Sequence, residues 1–585
     1  MNSETRNRRL ASITSAPALL CLVLLSAGPH GAPAGAQPAA QDVPAAQGEL
    51  YAETVNVEVI NIDVYVRDGD GNPVQGLEAD DFELFVDGKR STISNFYAVS
   101  GEATTTEVVK QAALPEELPV GEGPGVEVRP LDQRLHVVVY IDNFNLTPFS
   151  RNKVLRELRI FLREQLSEDD EVMLVTYDRA LNMRHPFTNR PENVSRALLE
   201  IEDISAQRIH QNSDRYDAMR EIEDADSFYN AFVTAEEYAK KVRNDTEFTI
   251  QALRSLVDNL AGSAGRKALI YVGDGLPMIA AEEAFWGVQM VFPDQMSMIR
   301  VAEYDFSSDY QQLAAQANAN RVSFYTIDAR GLSVLSQGQV DYDIAGAAGE
   351  RARLDQITNS NMQAPFQLLA EKTGGRAILN TNRFLPDLER IGTDFRAYYS
   401  LGYLSPTPGD GRYHAVEVRL KDPQRGWTVR HREGYRDKTV ESRMHDGTLS
   451  ALHLSLGEND LDAKLVFGPQ TLRADGLYDV PFRLVVPWEK IVLIPQQGVH
   501  RGSLRVWLAA KDEDDKLSDV QQVPLDIAFP SDQIDRTEGT EYVQTLSLTM
   551  EPGYQDVAVG VRDLLGGSKA FIRQGVFVGR RTSGP

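Results

Sequence analysis

Cysteine is almost missing from this chain: Cys21 is the single thiol in 585 residues, and it lies inside an apolar run from Ala16 to Ala27. Beyond that run, disulfide, zinc-thiolate and cysteine-nucleophile chemistry have no residues to work with. Basic residues are scarce relative to acidic ones, 60 Lys and Arg against 85 Asp and Glu, for a net charge of −25. A surface of that sign repels a phosphate backbone and excludes nucleic acid as a partner. The apolar run is about half the roughly 20 residues of a membrane-spanning helix, which argues against a permanent anchor. Catalytic signatures are absent too: there is no Gly-x-Ser-x-Gly elbow, His-Glu-x-x-His helix or Gly-x-x-x-x-Gly-Lys phosphate loop, and the nine histidines are scattered.

What is present begins with an export signal over 1–36: Arg6, Arg8 and Arg9, the apolar run, then the small residues Ala34-Gly35-Ala36 before Gln37. Leu10-Ala11-Ser12 do not extend the Arg8-Arg9 pair into a twin-arginine signal, and Leu19-Leu20 before Cys21 are too large for a lipoprotein signal. The expected product is a secreted or periplasmic mature chain without a thiol. An Ala, Gln and Pro-rich stretch at 37–49 reads as a flexible leader.

The length allows roughly three to five domains. Alternating apolar residues predict a small β domain over 50–100, with turns at Asp68-Gly69-Asp70-Gly71-Asn72-Pro73 and Asp87-Gly88. The Asp68, Asp70, Asn72 spacing is not a calcium loop, because Pro73 replaces its glycine and Ala79 its bidentate glutamate. Residues 101–134 read as a linker. From 135 to 395, apolar runs alternate with helical periods. The strands are Leu135 to Ile141, Glu171 to Tyr177, Ala268 to Val272, Val322 to Ile327 and Arg376 to Leu379, and the helices include Phe248 to Leu260, Tyr310 to Ala317 and Phe366 to Glu371. Such alternation predicts a mostly parallel sheet with helices on both faces. A charged stretch at 202–246 and an aromatic and Met-rich one at 280–300 (Phe285, Trp286, Met290, Phe292, Met296, Met298) read as insertions, the second packed rather than exposed. Alternation returns as a β extension over 396–438 and a β-sandwich-like domain over 439–585.

Acidic residues close two of the parallel strands, Asp142 after the first and Asp274 after Leu269-Ile270-Tyr271-Val272-Gly273. In an open parallel sheet ligands bind beyond such strand ends. With Gly265-Arg266-Lys267-Ala268, Tyr325-Thr326-Ile327-Asp328-Ala329-Arg330-Gly331-Leu332, Thr373-Gly374-Gly375-Arg376, Tyr398-Tyr399-Ser400-Leu401-Gly402-Tyr403 and His431-Arg432-Glu433-Gly434-Tyr435, this order resembles a von Willebrand factor type A (VWA) domain. More narrowly, it is similar to the exported VWA-related proteins of acidobacteria. The resemblance covers 50–100 and 135–436. It implies an α/β fold, a VWA-like doubly wound and mostly parallel sheet, flanked here by N-terminal and C-terminal antiparallel β domains.

The resemblance also implies a loop of hard oxygen ligands, Asp-x-Ser-x-Ser, for Mg²⁺ or another divalent cation. Here Phe144 and Leu146 hold the two serine positions, and Asn145 and Thr147 offer oxygens out of register. Asp142, Ser213 and Asp274 are the residues that match a metal set, so the adhesion loop is degenerate. The expectation is a non-catalytic, extracytoplasmic binding, adhesion or assembly protein with an unidentified protein partner. An envelope hydrolase with a dispersed active site and a purely structural self-assembling module are the alternatives.

Overall fold

The computed structural model describes residues 22–23, 59–100, 103–107, 134–204, 208–295, 297–332, 348–424, 426–454 and 456–579. The leader and most of the segment read as an export signal lie outside these residues. Within that segment, Leu22–Val23 is described as a two-residue strand beside Ser547 and Leu548. The chain divides into two compact units, Asn56–Val440, and Glu441–Pro585 together with Met1–Val55.

The first unit is built on a six-stranded sheet: β1 (Leu135–Asp142), β2 (Glu171–Tyr177), β3 (Leu181–Thr188), β4 (Arg266–Gly273), β5 (Val322–Asp328) and β6 (Ala377–Ile378). The strand order is β3-β2-β1-β4-β5-β6, parallel throughout except for β3, which runs antiparallel to β2. The order reverses between β1 and β4, so a switch point falls between the strand ends that carry Asp142 and Asp274. β1 and β4 are buried along almost their whole length, as central parallel strands covered on both faces must be.

One face packs α1 (Pro148–Gln165), α2 (Pro191–Glu202) and α8 (Leu385–Arg396) on the sheet, through Val137, Val139 and Ile141 against Leu155, Leu158, Leu198 and Leu388. The other face holds α6 (Ser307–Ala319) and α7 (Ala348–Lys372), where Phe366 meets Tyr271 edge-on at 5.1 Å. The stretch 202–246 forms α3 (Arg208–Glu223) and the first half of α4 (Phe228–Asn259). The helix expected at Phe248 to Leu260 is therefore only the end of a much longer one. The stretch 280–300 forms α5 (Glu282–Val291) and part of a 3₁₀ segment, Ser297–Tyr304. Phe285 is fully buried there, against Phe232 and Tyr304. Trp286, Met290, Phe292 and Met298 are half-buried, and Met296 lies outside the described residues.

The segments expected as a separate N-terminal β domain and a β extension form one module around the α/β domain. Val59–Arg67 pairs with Ala397–Leu404, placing Ile62 opposite Leu401, and Phe82–Val86 pairs with Tyr413–Leu420. Their two sheets share one core that includes Ile62, Val64, Phe82, Leu84 and Leu401. The linker boundary also needs correction: Ala103–Glu107 is a strand paired with Ile93–Ser100, so the module extends beyond residue 100. Asp68 accepts from the backbone N–H of Asp70 at 3.0 Å and of Asn72 at 2.8 Å, the geometry of a turn.

A buried ion cluster joins the module to α8. Asp394, fully buried, is paired with Arg67 and Arg430, with Arg376 Nε 3.7 Å away. Nearby, Arg266 donates to Asp63 at 3.0 Å and to the Tyr65 hydroxyl at 2.9 Å. Two cavities on this seam, about 10 and 20 Å³, are bordered by Asp63, Arg266 and Arg321. Each has room for roughly one water, too little for a substrate.

The second unit opens with a helix, Val440–His453, followed by two antiparallel sheets around a common core. Tyr478–Pro487 pairs with Glu541–Met550 in one sheet, and Val499–Asp512 pairs with Gln521–Pro530 and Gly553–Asp563 in the other.

Candidate functional site

The strand-end edge of the α/β sheet gathers three aspartates. Asp142 ends β1, Asp274 follows β4 and Asp328 ends β5, and each is at most 2% exposed. A buried carboxylate is costly unless it is hydrogen-bonded or paired. Each of the three is supplied from neighbouring chain segments.

Asp142 accepts from the Asn145 backbone N–H at 3.0 Å, from Asn145 Nδ2 at 2.9 Å and from the Tyr271 hydroxyl of β4. Asn145 Nδ2 also reaches Thr249 Oγ1 of α4 at 3.3 Å. Burial pushes the Asp142 carboxyl up to about 6, against the pull of Tyr271, Asn145 and the Arg208 charge toward the ionised form.

Asp274 sits at the N-terminus of α1. It accepts from the Thr147 backbone N–H at 2.8 Å and from Ser150 Oγ at 2.7 and 2.9 Å, and Thr147 caps the helix. Its own N–H donates to Asn145 O at 3.0 Å, so the two aspartate loops are laced together. Burial raises its carboxyl while Ser150, Arg208 and Thr147 oppose that shift. The turn needs its glycine: Gly275 has φ +89° and a side chain there would come within 2.9 Å of the Met362 Cβ. Asp328 is held by Arg330, Nε to Oδ1 at 2.9 Å and Nη2 to Oδ2 at 2.7 Å, and by Gln363 at 2.8 Å.

Of the residues expected as a metal set, Asp142 and Asp274 come to the same edge of adjacent strands and Ser213 does not join them. Ser213 is exposed on α3, and the α3 residues that reach the loop are Arg208 and Gln211. Phe144 and Leu146, at the two positions where the resemblance implies hydroxyls, are buried. Leu146 lies in the core with Val154 and Leu155, and Phe144 packs edge-on against Tyr177 at 6.1 Å. Asn145 acts as a donor to Asp142. The carboxylates that would bind a cation are thus occupied by N–H and O–H donors, and the residues present do not fit a resident divalent ion. Among the described residues no group of three or more His, Cys, Asp or Glu is arranged to hold a metal.

Arg208, Tyr271, Ser150 and the Asp328–Arg330 pair escape a reading of the sequence. Only Asp328 carried a signal, since it closes an apolar strand as Asp142 does; Arg208 comes from an insertion whose placement no local pattern specifies.

No family model matches the chain, and no curated protein matches it. Among solved structures it is similar to an aerotolerance-related membrane protein from Bacteroides fragilis carrying multiple mutations to serines, with 13% identity, 45% of this chain and 98% of that chain covered, and TM-score 0.23. It is also similar to the ArnB paralog VWA2 from Sulfolobus acidocaldarius, with 10% identity, coverage of 89% and 76%, and TM-score 0.21. A third is the type V pili tip protein Mfa5 from Porphyromonas gingivalis, in its three N-terminal domains, with 8% identity, coverage of 88% and 76%, and TM-score 0.23. Scores of this size carry no argument about what this chain does.

Proposed function

We propose that this chain is an extracytoplasmic, non-catalytic binding or assembly protein whose α/β domain is VWA-like and offers its strand-end edge to a protein partner. One observation carries the reading: Asp142 and Asp274 stand side by side at the switch point with their oxygens satisfied by the chain itself. A general base or nucleophile needs a lone pair directed at substrate, and these two carboxylates direct theirs inward. Phe149, 85% exposed in the first turn of α1, and Leu332, 52% exposed just beyond β5, leave apolar side chains on the elements that flank this edge. Export, read from the N-terminal residues, places such an edge in the envelope or outside the cell.

The test is photo-crosslinking in cells that make the protein, from a reactive residue at Phe149 and, as a control, at Tyr554 of the second unit. The reading expects a defined protein adduct from position 149 and none of that size from position 554. Hydrolysis of a peptide, ester or glycoside by the purified chain, abolished in Asp142→Asn, would refute the non-catalytic role.

A further inference from the structure

The larger of the two seam cavities, about 20 Å³, is bordered by residues of both the β module and the α/β sheet. Arg266 opens β4 and Arg321 immediately precedes β5, so both come to the end of the sheet opposite the aspartate edge. Asp63 and Tyr65 reach the same lining from the strand Val59–Arg67. Arg266 is fixed on three sides: Nε donates to Asp63 at 3.0 Å, Nη2 donates to the Tyr65 hydroxyl at 2.9 Å, and the guanidinium carbon lies 3.7 Å from the centre of the Tyr398 ring. Asp63 is the one carboxylate of this lining and is already the partner of Arg266, while Arg321 brings a second guanidinium to it. Tyr325 adds a donor: it borders the cavity, is 1% exposed, and its hydroxyl is buried with no hydrogen-bond partner among the described residues.

The neighbouring groups do not supply the negative charge this lining is short of. Asp394 is shared by Arg67, Arg430 and Arg376. Arg432 donates to the carbonyls of Asn318 at 3.2 Å and Asn61 at 2.8 Å. Enclosed guanidinium groups that outnumber their carboxylates are costly, and an arginine does not shed its proton to relieve that cost. Water fits a space of this size but brings no charge. The smaller cavity differs, because the buried unpartnered atom on its lining is an acceptor, Asn61 Oδ1, which suits a water.

We infer that the larger cavity is a site for one chloride ion, taken between Arg266 and Arg321 with the Tyr325 hydroxyl as a further donor. The space admits a monatomic anion and excludes phosphate, carboxylates and larger groups. Because the lining comes from both sides of the seam, the ion fastens the β module to the α/β sheet. The site is separate from the edge at Asp142 and Asp274 and owes nothing to the binding role proposed for that edge.

The test is thermal unfolding of the full chain in potassium chloride and in potassium gluconate at matched ionic strength, gluconate being too large for the cavity. The wild type is expected to melt several degrees higher in chloride, with a rise that grows with the logarithm of chloride concentration once the site is mostly filled. Arg321→Gln is expected to lose that rise and Tyr325→Phe, which removes only the hydroxyl, to keep part of it. Arg390→Gln, an exposed position on α8, is expected to keep all of it. If Arg321→Gln does not fold, ³⁵Cl line broadening on the wild type decides: excess broadening that bromide competes away and Tyr325→Phe reduces supports the site, and no excess overturns it. A wild type that melts alike in both salts, as a cavity holding only water would, overturns the inference, and so does an Arg321→Gln variant with the full wild-type response to chloride.

Discussion

The Ser150 hydroxyl lies 2.7 Å from Asp274 Oδ1 and 2.9 Å from Oδ2, joining the first turn of α1 to the end of β4. Ser150 is itself buried, so no water replaces it without rearrangement. Ser150→Ala leaves a buried carboxylate short of one donor and is expected to cost about 1–3 kcal/mol. Urea unfolding checks this; an unchanged midpoint at unchanged slope would show that the contact does not hold the edge.

Leu146 stands where the resemblance to VWA domains implies a hydroxyl, and it packs in the core with Val154 and Leu155. Leu146→Ala is expected to lower stability by about 2–5 kcal/mol, the cost of a large-to-small change in a closed core. Leu146→Ser, which introduces a hydroxyl, loses at least as much, because the new group is buried among Val154 and Leu155. A Ser variant more stable than the Ala variant, and further stabilised by Mg²⁺, would contradict this account of the loop.

Asp142 makes stability depend on pH with a definite sign. Its carboxyl titrates near 6 in the folded chain against 3.8 for the ordinary group. Between about pH 4 and 6 the folded state keeps a proton that the unfolded state has lost, so this residue's contribution falls as pH rises through that window. The full cost, about 3 kcal/mol, is present above it. Asp142→Asn removes the dependence. The variant's stability relative to wild type is expected to improve by up to that amount between pH 4 and 7, as measured by denaturant unfolding across the range. A difference that is flat with pH would contradict the shift.

Asp394 behaves in the opposite direction. Burial alone would raise its carboxyl, but Arg430, Arg67 and Arg376 more than offset it and hold the group below its usual range. The stability it confers is present above the unfolded-state pKa and is lost as pH falls through the folded one. Asp394→Ala strands three guanidinium groups around one vacated position and is expected to cost about 3–5 kcal/mol. Acid unfolding of wild type and variant should differ most at neutral pH and converge at low pH; coincident curves would argue that the cluster contributes nothing, and a constant offset that its contribution does not depend on the Asp394 charge.

The parallel core was legible because its strands are buried on both faces and therefore read as unbroken apolar runs: Leu135 to Ile141 and Ala268 to Val272 lie where expected, with an aspartate after each. β3 was not legible. Leu181–Thr188 carries His185 and Pro186 and is largely unburied, so it has no apolar run. The single β module was hidden for a different reason, since Ile62 meets Leu401 across more than three hundred residues of intervening chain and no local period encodes that pairing. In the site, Asp142 and Asp274 were visible from their position after apolar strands. Ser213 was misplaced, because α3 turns that residue to solvent and brings Arg208 and Gln211 to the loop.

The most direct measurement is calorimetric titration of Mg²⁺, Mn²⁺ and Ca²⁺ into the purified wild-type chain, beside Asp274→Asn. With Asp142 hydrogen-bonded by Asn145 and Tyr271, and Asp274 by Thr147 and Ser150, the titration is expected to give no saturable heat from either protein. Saturable binding of one ion per chain, lost in Asp274→Asn, would mean that the edge is a working metal site and that its carboxylates are not closed by the chain.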